Sequence, residues 1–192
     1  MDDNTTDEAV LKNDMIITAV GVIKNDLSVP PLIAGEDGLK HNTAYDSSCE
    51  KLKETPGKVS EIVLANRFVD LLEGIEEYSH IIVLYWGHEV PDAGRKLTKI
   101  HPAGLTDYPE KGIFATCSPA RPNPILMTVV RLLEREGNRL IVRGLDAIDK
   151  SPVLDIKPYV AEMYPQDGVL IPDWMARIMK EFGENPAEKR KI

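Results

Sequence analysis

Tyr78-Ser79-His80-Ile81-Ile82-Val83-Leu84-Tyr85-Trp86 is the strongest strand-forming stretch of the chain. Its apolar part, Ile81–Trp86, is nearly continuous, the pattern of a central strand covered on both faces. Polar His88 and Glu89 follow at its end. Further strands are predicted on either side. Ile16–Ile23 is short, β-branched and interrupted by glycine, and Val59–Leu64 is a second strand. Asn66–Leu72 reads as a brief helix stopped by Gly74. Gly112–Thr116 is a short strand. Ile125–Leu133 leads into a turn at Glu136–Asn138, and Arg139–Leu145 alternates as an antiparallel return. Val153–Ile156 ends at Lys157-Pro158-Tyr159. Many short strands joined by Gly- and Pro-rich loops make the fold mainly β, a small single-domain barrel.

The 192 residues divide into three parts. Residues 1–14 carry five acids against one lysine and are expected to form a disordered tail. Residues 15–162 form the barrel domain. Residues 163–192 are an extension with a helix at 172–182, where Pro172 stands near the helix start. Trp174, Met175, Ile178, Met179 and Phe182 recur there at helical spacing, a face for covering the barrel or joining an interface. The polar connection from Lys24 to Gly57 shows no clear periodicity and reads as disorder or a lid-like excursion.

Cys49 and Cys117 form no disulfide framework, and no Cys/His cluster has zinc spacing, so no metal is expected. The N-terminus is acidic and polar, unlike a secretory signal, and no apolar run is long enough to span a membrane. A cytoplasmic location is the expectation. The net charge of −8 provides no long-range attraction to polyphosphate, so an RNA partner must be argued from other features. No Gly-x-Gly-x-x-Gly, Walker-type or Gly-x-Ser-x-Gly motif occurs. An active site here is built by loops.

The densest loop lies within Gly112–Leu126, GIFATCSPARPNPIL. Pro119, Pro122 and Pro124 cannot lie in a helix interior or a central strand, so the loop is stiff and holds its polar groups in set positions. Arg121 offers a planar five-donor fork suited to a carboxylate; its alternative role is to bond loop carbonyls and hold the turn. Asn123, between prolines, either locks the loop or meets a ligand. His88, just past a buried strand, can reach a cavity mouth and exchange a proton near neutrality, or be satisfied by Glu89. His80, within the strand, reads as a structural hydrogen-bonded histidine. Asp155, Lys157 and Tyr159 share strand parity. Asp155 and Lys157 can pair, and Tyr159 can stack on an adenine. Cys117 reads as a small filler.

Five ordered signatures resemble the TsaA-like family across roughly residues 17–159. They are Val20-Gly21-Val22-Ile23; Leu72-Glu73-Gly74-Ile75-Glu76 leading into the Tyr-Trp strand and His88; Gly112-Ile113-Phe114-Ala115-Thr116; Arg121-Pro122-Asn123-Pro124-Ile125; and Asp155-Ile156-Lys157-Pro158-Tyr159. The resemblance implies a small β-barrel that binds S-adenosyl-L-methionine without a Rossmann sheet. It also implies a homodimer with the cofactor near the subunit boundary, and N6-methylation of threonylcarbamoyladenosine at position 37 of tRNA. Carried onto this chain, it assigns cofactor contacts to His88, Glu89, Cys117, Met127, Ala147, Ile148, Asp149, Lys150 and Ser151. Arg121 and Asn123 join that set through the loop argument.

Methyl transfer from a sulfonium is driven mainly by alignment and exclusion of water. A carbamoyl-linked N6–H is a poor nucleophile that a nearby base would help, and His88, Asp155 and Tyr159 are the candidates. The chain departs from the family pattern at Cys117, where arginine is usual, and at Leu126, where glycine is usual. Lys150-Ser151-Pro152 replaces Gly-Thr-Pro, and Lys24-Asn25-Asp26 replaces Arg-Ser-Pro. These changes and the acidic charge leave two alternatives open: a methyltransferase with a small-molecule acceptor, and a non-catalytic adenosyl-ligand-binding protein.

Overall fold

The computed structural model describes residues 15–30, 32–35, 38–42 and 57–183. In chain order the strands are β1 (Gly21–Lys24), β2 (Leu32–Gly35), β3 (Gly38–His41), β4 (Val59–Leu64) and β5 (His80–Trp86). They continue with β6 (Lys99–Ile100), β7 (Lys111–Gly112), β8 (Ile125–Glu136), β9 (Arg139–Arg143) and β10 (Pro152–Pro158). Six of them close into an antiparallel barrel in the order β1-β10-β5-β8-β9-β4. A one-turn helix, α1 (Asp92–Arg95), follows β5, and α2 (Asp173–Gly183) lies in the C-terminal extension.

β5 is central, bonded to β8 along one edge and to β10 along the other. Its inward side chains Ile81, Val83 and Tyr85 pack with Ile23, Ile62, Val130, Leu140, Val142 and Val153. Its outward Ile82 is buried too, as a nearly continuous apolar run requires. Closing the barrel brings β1 so near β4 that a Cβ on Gly21 would stand 2.6 Å from the Val63 carbonyl oxygen. Only glycine permits that approach.

Several boundaries differ from the sequence expectation. The first strand starts at Gly21; residues 15–20 have no regular structure, although Val20 N–H donates to the Val153 carbonyl at 2.8 Å. Residues Ile113–Ala115 form a 3-10 turn instead of a strand, because Thr116 folds back and both its N–H and its hydroxyl donate to the Ile113 carbonyl. The Asn66–Leu72 helix is 3-10 as well. β8 runs on to Glu136 through a register shift between Leu132 and Glu134. β10 extends to Pro158 and carries a shift between Val153 and Asp155.

The Lys24–Gly57 connection holds structure that its polarity hides: β2 and β3 pair as a hairpin from Leu32↔His41 to Gly35↔Gly38. Residues 43–56 lie outside the described residues, as do the proposed tail 1–14 and residues 184–192. In α2, Trp174, Met175 and Ile178 are half-buried and Met179 is 52% exposed, so the stripe stays outside the barrel core. Arg177 lies over the Tyr108 ring, 5.1 Å from its centroid, tying the helix to the loop before β7.

Candidate ligand site

A cavity of about 510 Å³ opens where the end of β5, the start of β8 and the turn before β10 meet the β2–β3 hairpin. This volume lies within the range of small-ligand pockets. Leu32, Ile33, Ala34 and Leu39 of the hairpin contribute an apolar wall, with Val90, Leu126, Met127 and Ile148 among the other liners. Two close contacts hold the frame. Gly87 N–H donates to the Pro124 carbonyl at 2.8 Å, linking the end of β5 to the proline loop. At Gly94 in α1, a Cβ would stand 2.6 Å from the Ala34 Cβ, so the backbone of α1 packs directly on the Ala34 methyl of the hairpin.

The proline loop holds Arg121 by the loop-locking route. Nε donates to the Ser118 carbonyl at 2.7 Å and Nη2 to the Thr116 carbonyl at 2.6 Å. Ala120 N–H donates in turn to the Ser118 hydroxyl at 3.1 Å. Both bonds use one edge of the guanidinium; Arg121 still lines the cavity, and its Nη1 meets no acceptor among the described residues. The two readings of this arginine are compatible: one edge builds the loop and the other can serve a ligand.

Of the sequence-predicted residues, Glu89, Cys117, Arg121, Met127, Ala147, Ile148 and Ser151 line this cavity. His88 stands behind it, its Nδ1 3.3 Å from the Ser151 hydroxyl and its Nε2 3.5 Å from Glu89. Asp149 and Lys150 face a smaller hollow beside β1, with Lys24, Asn25, Asp26 and Glu61. Asn123 is exposed in the loop, where its carbonyl accepts from Ile125 N–H at 2.7 Å.

Asp155 lies further along β10 and Tyr159 just beyond its end, away from Ser151. The Asp155 carboxylate accepts from Lys157 at 2.8 Å and from Ile156 N–H at 2.9 Å. Tyr159 stacks on Tyr164 with centroids 5.4 Å apart. Neither residue lines the cavity. His80 accepts or donates at 2.9 Å with the Ser79 hydroxyl, in keeping with its structural reading.

Three residues missed at the sequence level form the polar centre of the site. Tyr85 points inward from β5, and its hydroxyl donates to Asp146 Oδ1 at 2.8 Å. Thr128 on β8 donates to the same oxygen at 2.5 Å. Burial first, then the neighbouring Asp146 charge, pushes the Tyr85 phenol far above the usual tyrosine range, so it stays protonated as a donor. The parity of Ile81, Val83 and Tyr85 signals a buried phenol that needs a partner, but not which one.

Asn25 is the other omission. Its side chain donates to the Ala147 carbonyl at 2.8 Å, and its N–H donates to Asp149 at 3.2 Å. Asp149 N–H then donates to the Leu27 carbonyl, and Lys150 N–H to the Ile23 carbonyl. The residues after β1 thus shape the turn that lines the cavity.

The fold and site define a closed six-stranded barrel with a loop-built cavity at one end, and sequence comparison assigns that class to a family. The tRNA-methyltransferase O N-terminal domain family matches residues 49–164, more than half the chain, and the chain belongs to it. An S-adenosyl-L-methionine-binding protein of Archaeoglobus fulgidus is 41% identical over 149 residues, which are 78% of this chain and 92% of that protein. The mouse tRNA (adenine(37)-N6)-methyltransferase is 42% identical over 91 residues, 47% of this chain and 21% of that enzyme. Two crystal structures of TrmO from Pseudomonas aeruginosa superpose with TM-scores of 0.59 and 0.56 at 26% and 28% identity. They cover 84% and 82% of this chain, which spans only 62% and 61% of theirs.

Proposed function

We propose that this chain is an S-adenosyl-L-methionine-dependent methyltransferase that acts on the N6 of threonylcarbamoyladenosine at position 37 of tRNA. The observation carrying this reading is the cavity itself, where a stiff loop presents a spare guanidinium edge opposite apolar walls and a hydroxyl-clamped carboxylate. That donor set suits the methyl donor. The outer edge of Arg121 matches an amino-acid carboxylate, Glu89 and Asp146 match cationic groups, and the hairpin wall matches a flat heterocycle. When bound, the donor supplies an activated methyl group. The protein's own work is to align the acceptor, exclude water through the hairpin wall, and keep His88 beside Ser151 and Glu89 as a proton-exchanging group behind the cavity wall. Asp155 and Tyr159 fit a role in docking the acceptor better than one at the methyl donor, since neither lines the cavity.

A homodimer belongs to the same reading. Ile125, Met127 and Val129 alternate along β8 at 37%, 62% and 40% exposure, the first two also lining the cavity. An apolar strip of this kind fits a second copy of the chain. Met127→Glu is expected to yield a monomer in light scattering. No helix among the described residues is long and apolar enough to cross a membrane, and a cytoplasmic site of action is part of the proposal.

The test is methylation of tRNA from a strain lacking its own enzyme, with S-adenosyl-L-methionine as donor. Conversion of threonylcarbamoyladenosine to its methylated form is expected. Unchanged nucleoside despite donor binding would sink the tRNA reading. It would favour a small-molecule acceptor.

A further inference from the structure

We propose that Asp146 is the residue by which this cavity selects a ligand with a positive charge at its reacting centre, binding a sulfonium in preference to the corresponding thioether. The inference rests on the methyl-donor reading above. It begins from a carboxylate with unusual surroundings. Oδ1 of Asp146 accepts from two hydroxyls, Tyr85 at 2.8 Å and Thr128 at 2.5 Å, each carried by a barrel strand. These bonds fix the carboxylate in place, while Oδ2 bonds to no group among the described residues. Both donors are neutral. None of the described ion pairs involves Asp146, so its charge has no cationic partner among the described residues.

The other two charges of the cavity differ. Arg121 spends one edge on loop carbonyls. Glu89 stands 3.5 Å from His88, a partner that competes with a ligand for its charge. Asp146 is exposed too, but two neutral hydroxyls hold it among largely aliphatic liners, and no counter-charge among the described residues competes with a ligand for it. The lining holds two acids and one base. The methyl donor carries the inverse set, a sulfonium and an ammonium against one carboxylate. Once the methyl group has left, the thioether has lost one positive charge while the ammonium and carboxylate are unchanged. An unpartnered, immobilised carboxylate is the group that registers this loss, and it favours exchange of spent ligand for fresh.

Calorimetry on the full chain tests this with three ligands: S-adenosylmethionine, S-adenosylhomocysteine, and an analogue bearing a protonated carbon-linked amine in place of the methylsulfonium. The wild type is expected to bind both cationic ligands about tenfold or more tighter than the thioether. Asp146→Asn can still accept from Tyr85 and Thr128, and it should bring the three affinities within about twofold by weakening the cationic ligands alone. Asp146→Glu, which keeps the charge, should restore part of the preference. Because the preference is a ratio within each variant, partial unfolding does not alter it. An unchanged ratio in Asp146→Asn, or equal weakening of all three ligands, overturns the proposal. So does a wild type that binds sulfonium and thioether alike, although the methyl-donor reading then stands. A wild type that binds none of the three removes that reading and this inference with it.

Discussion

Nη2 of Arg121 donates to the Thr116 carbonyl at 2.6 Å, so the arginine that faces the cavity also closes its own loop. Arg121→Ala removes this bond and the one from Nε to Ser118, and should cost about 1–3 kcal/mol of stability as charged hydrogen bonds are lost. Arg121→Lys keeps the charge but not the planar fork, so it should be destabilised as well while retaining part of the affinity for S-adenosylmethionine. Urea denaturation and calorimetry separate the two effects. Wild-type stability and affinity in the alanine variant would contradict both roles.

The Tyr85–Asp146 bond predicts an alkaline loss of stability. The unfolded chain releases the Tyr85 proton near the ordinary value of 10.0, whereas the folded chain holds it to higher pH. Above that pH the folded state binds more protons than the unfolded state, so the stabilisation, fully present at lower pH, drains away as pH rises. Near pH 8, Tyr85→Phe should be less stable than wild type by about 1–2 kcal/mol. That gap should close toward about pH 11. A gap constant with pH in urea titrations would show that the phenol is not held protonated by the fold.

Lys150 adopts a left-handed backbone, with φ of 65°, in the turn before β10. That conformation costs a side-chain-bearing residue roughly 1–2 kcal/mol. Glycine would relieve it but lose about 0.5–1 kcal/mol to its freer unfolded chain. Lys150→Gly should therefore stabilise the protein by about 0.5–1 kcal/mol, with the Lys150 N–H bond to Ile23 intact. A lower urea midpoint would show instead that the lysine side chain has a stabilising contact.

Gly94 is in helix α1, where alanine would ordinarily be better by about 1 kcal/mol. Its Cβ, however, would stand 2.6 Å from that of Ala34. Overpacking of this kind costs about 1–3 kcal/mol, so Gly94→Ala should lower the melting temperature and loosen the cavity wall. Pairing it with Ala34→Gly should restore stability. If the single variant melts at a higher temperature, helix propensity outweighs the contact.

The strands can be read from the sequence where the signal is local. Val59–Leu64 matches its prediction at both ends, and β5 is recognisable as central from its unbroken apolar run. Four-residue strands such as β2 and β3, set among glycines and prolines, are too short to show a period. The site divides in the same way. Arg121 stands out because prolines surround it. Asp146 does not, because its partner Tyr85 is 61 positions away and the pairing depends on closure of the barrel.

By itself, the sequence determined the barrel class, the stiff loop at Arg121 and the family signature, since alternation, proline geometry and motif order are all properties of neighbouring residues. The tertiary structure decided which of these meet. It turned the polar connection after β1 into a cavity wall, joined Tyr85, Thr128 and Asp146 into one clamp, and left Asp155 and Tyr159 outside the cavity that Ser151 lines. The reason is geometric: strand parity sets the face a side chain occupies, but only the register of the closed barrel sets which strand ends, and therefore which polar groups, stand together.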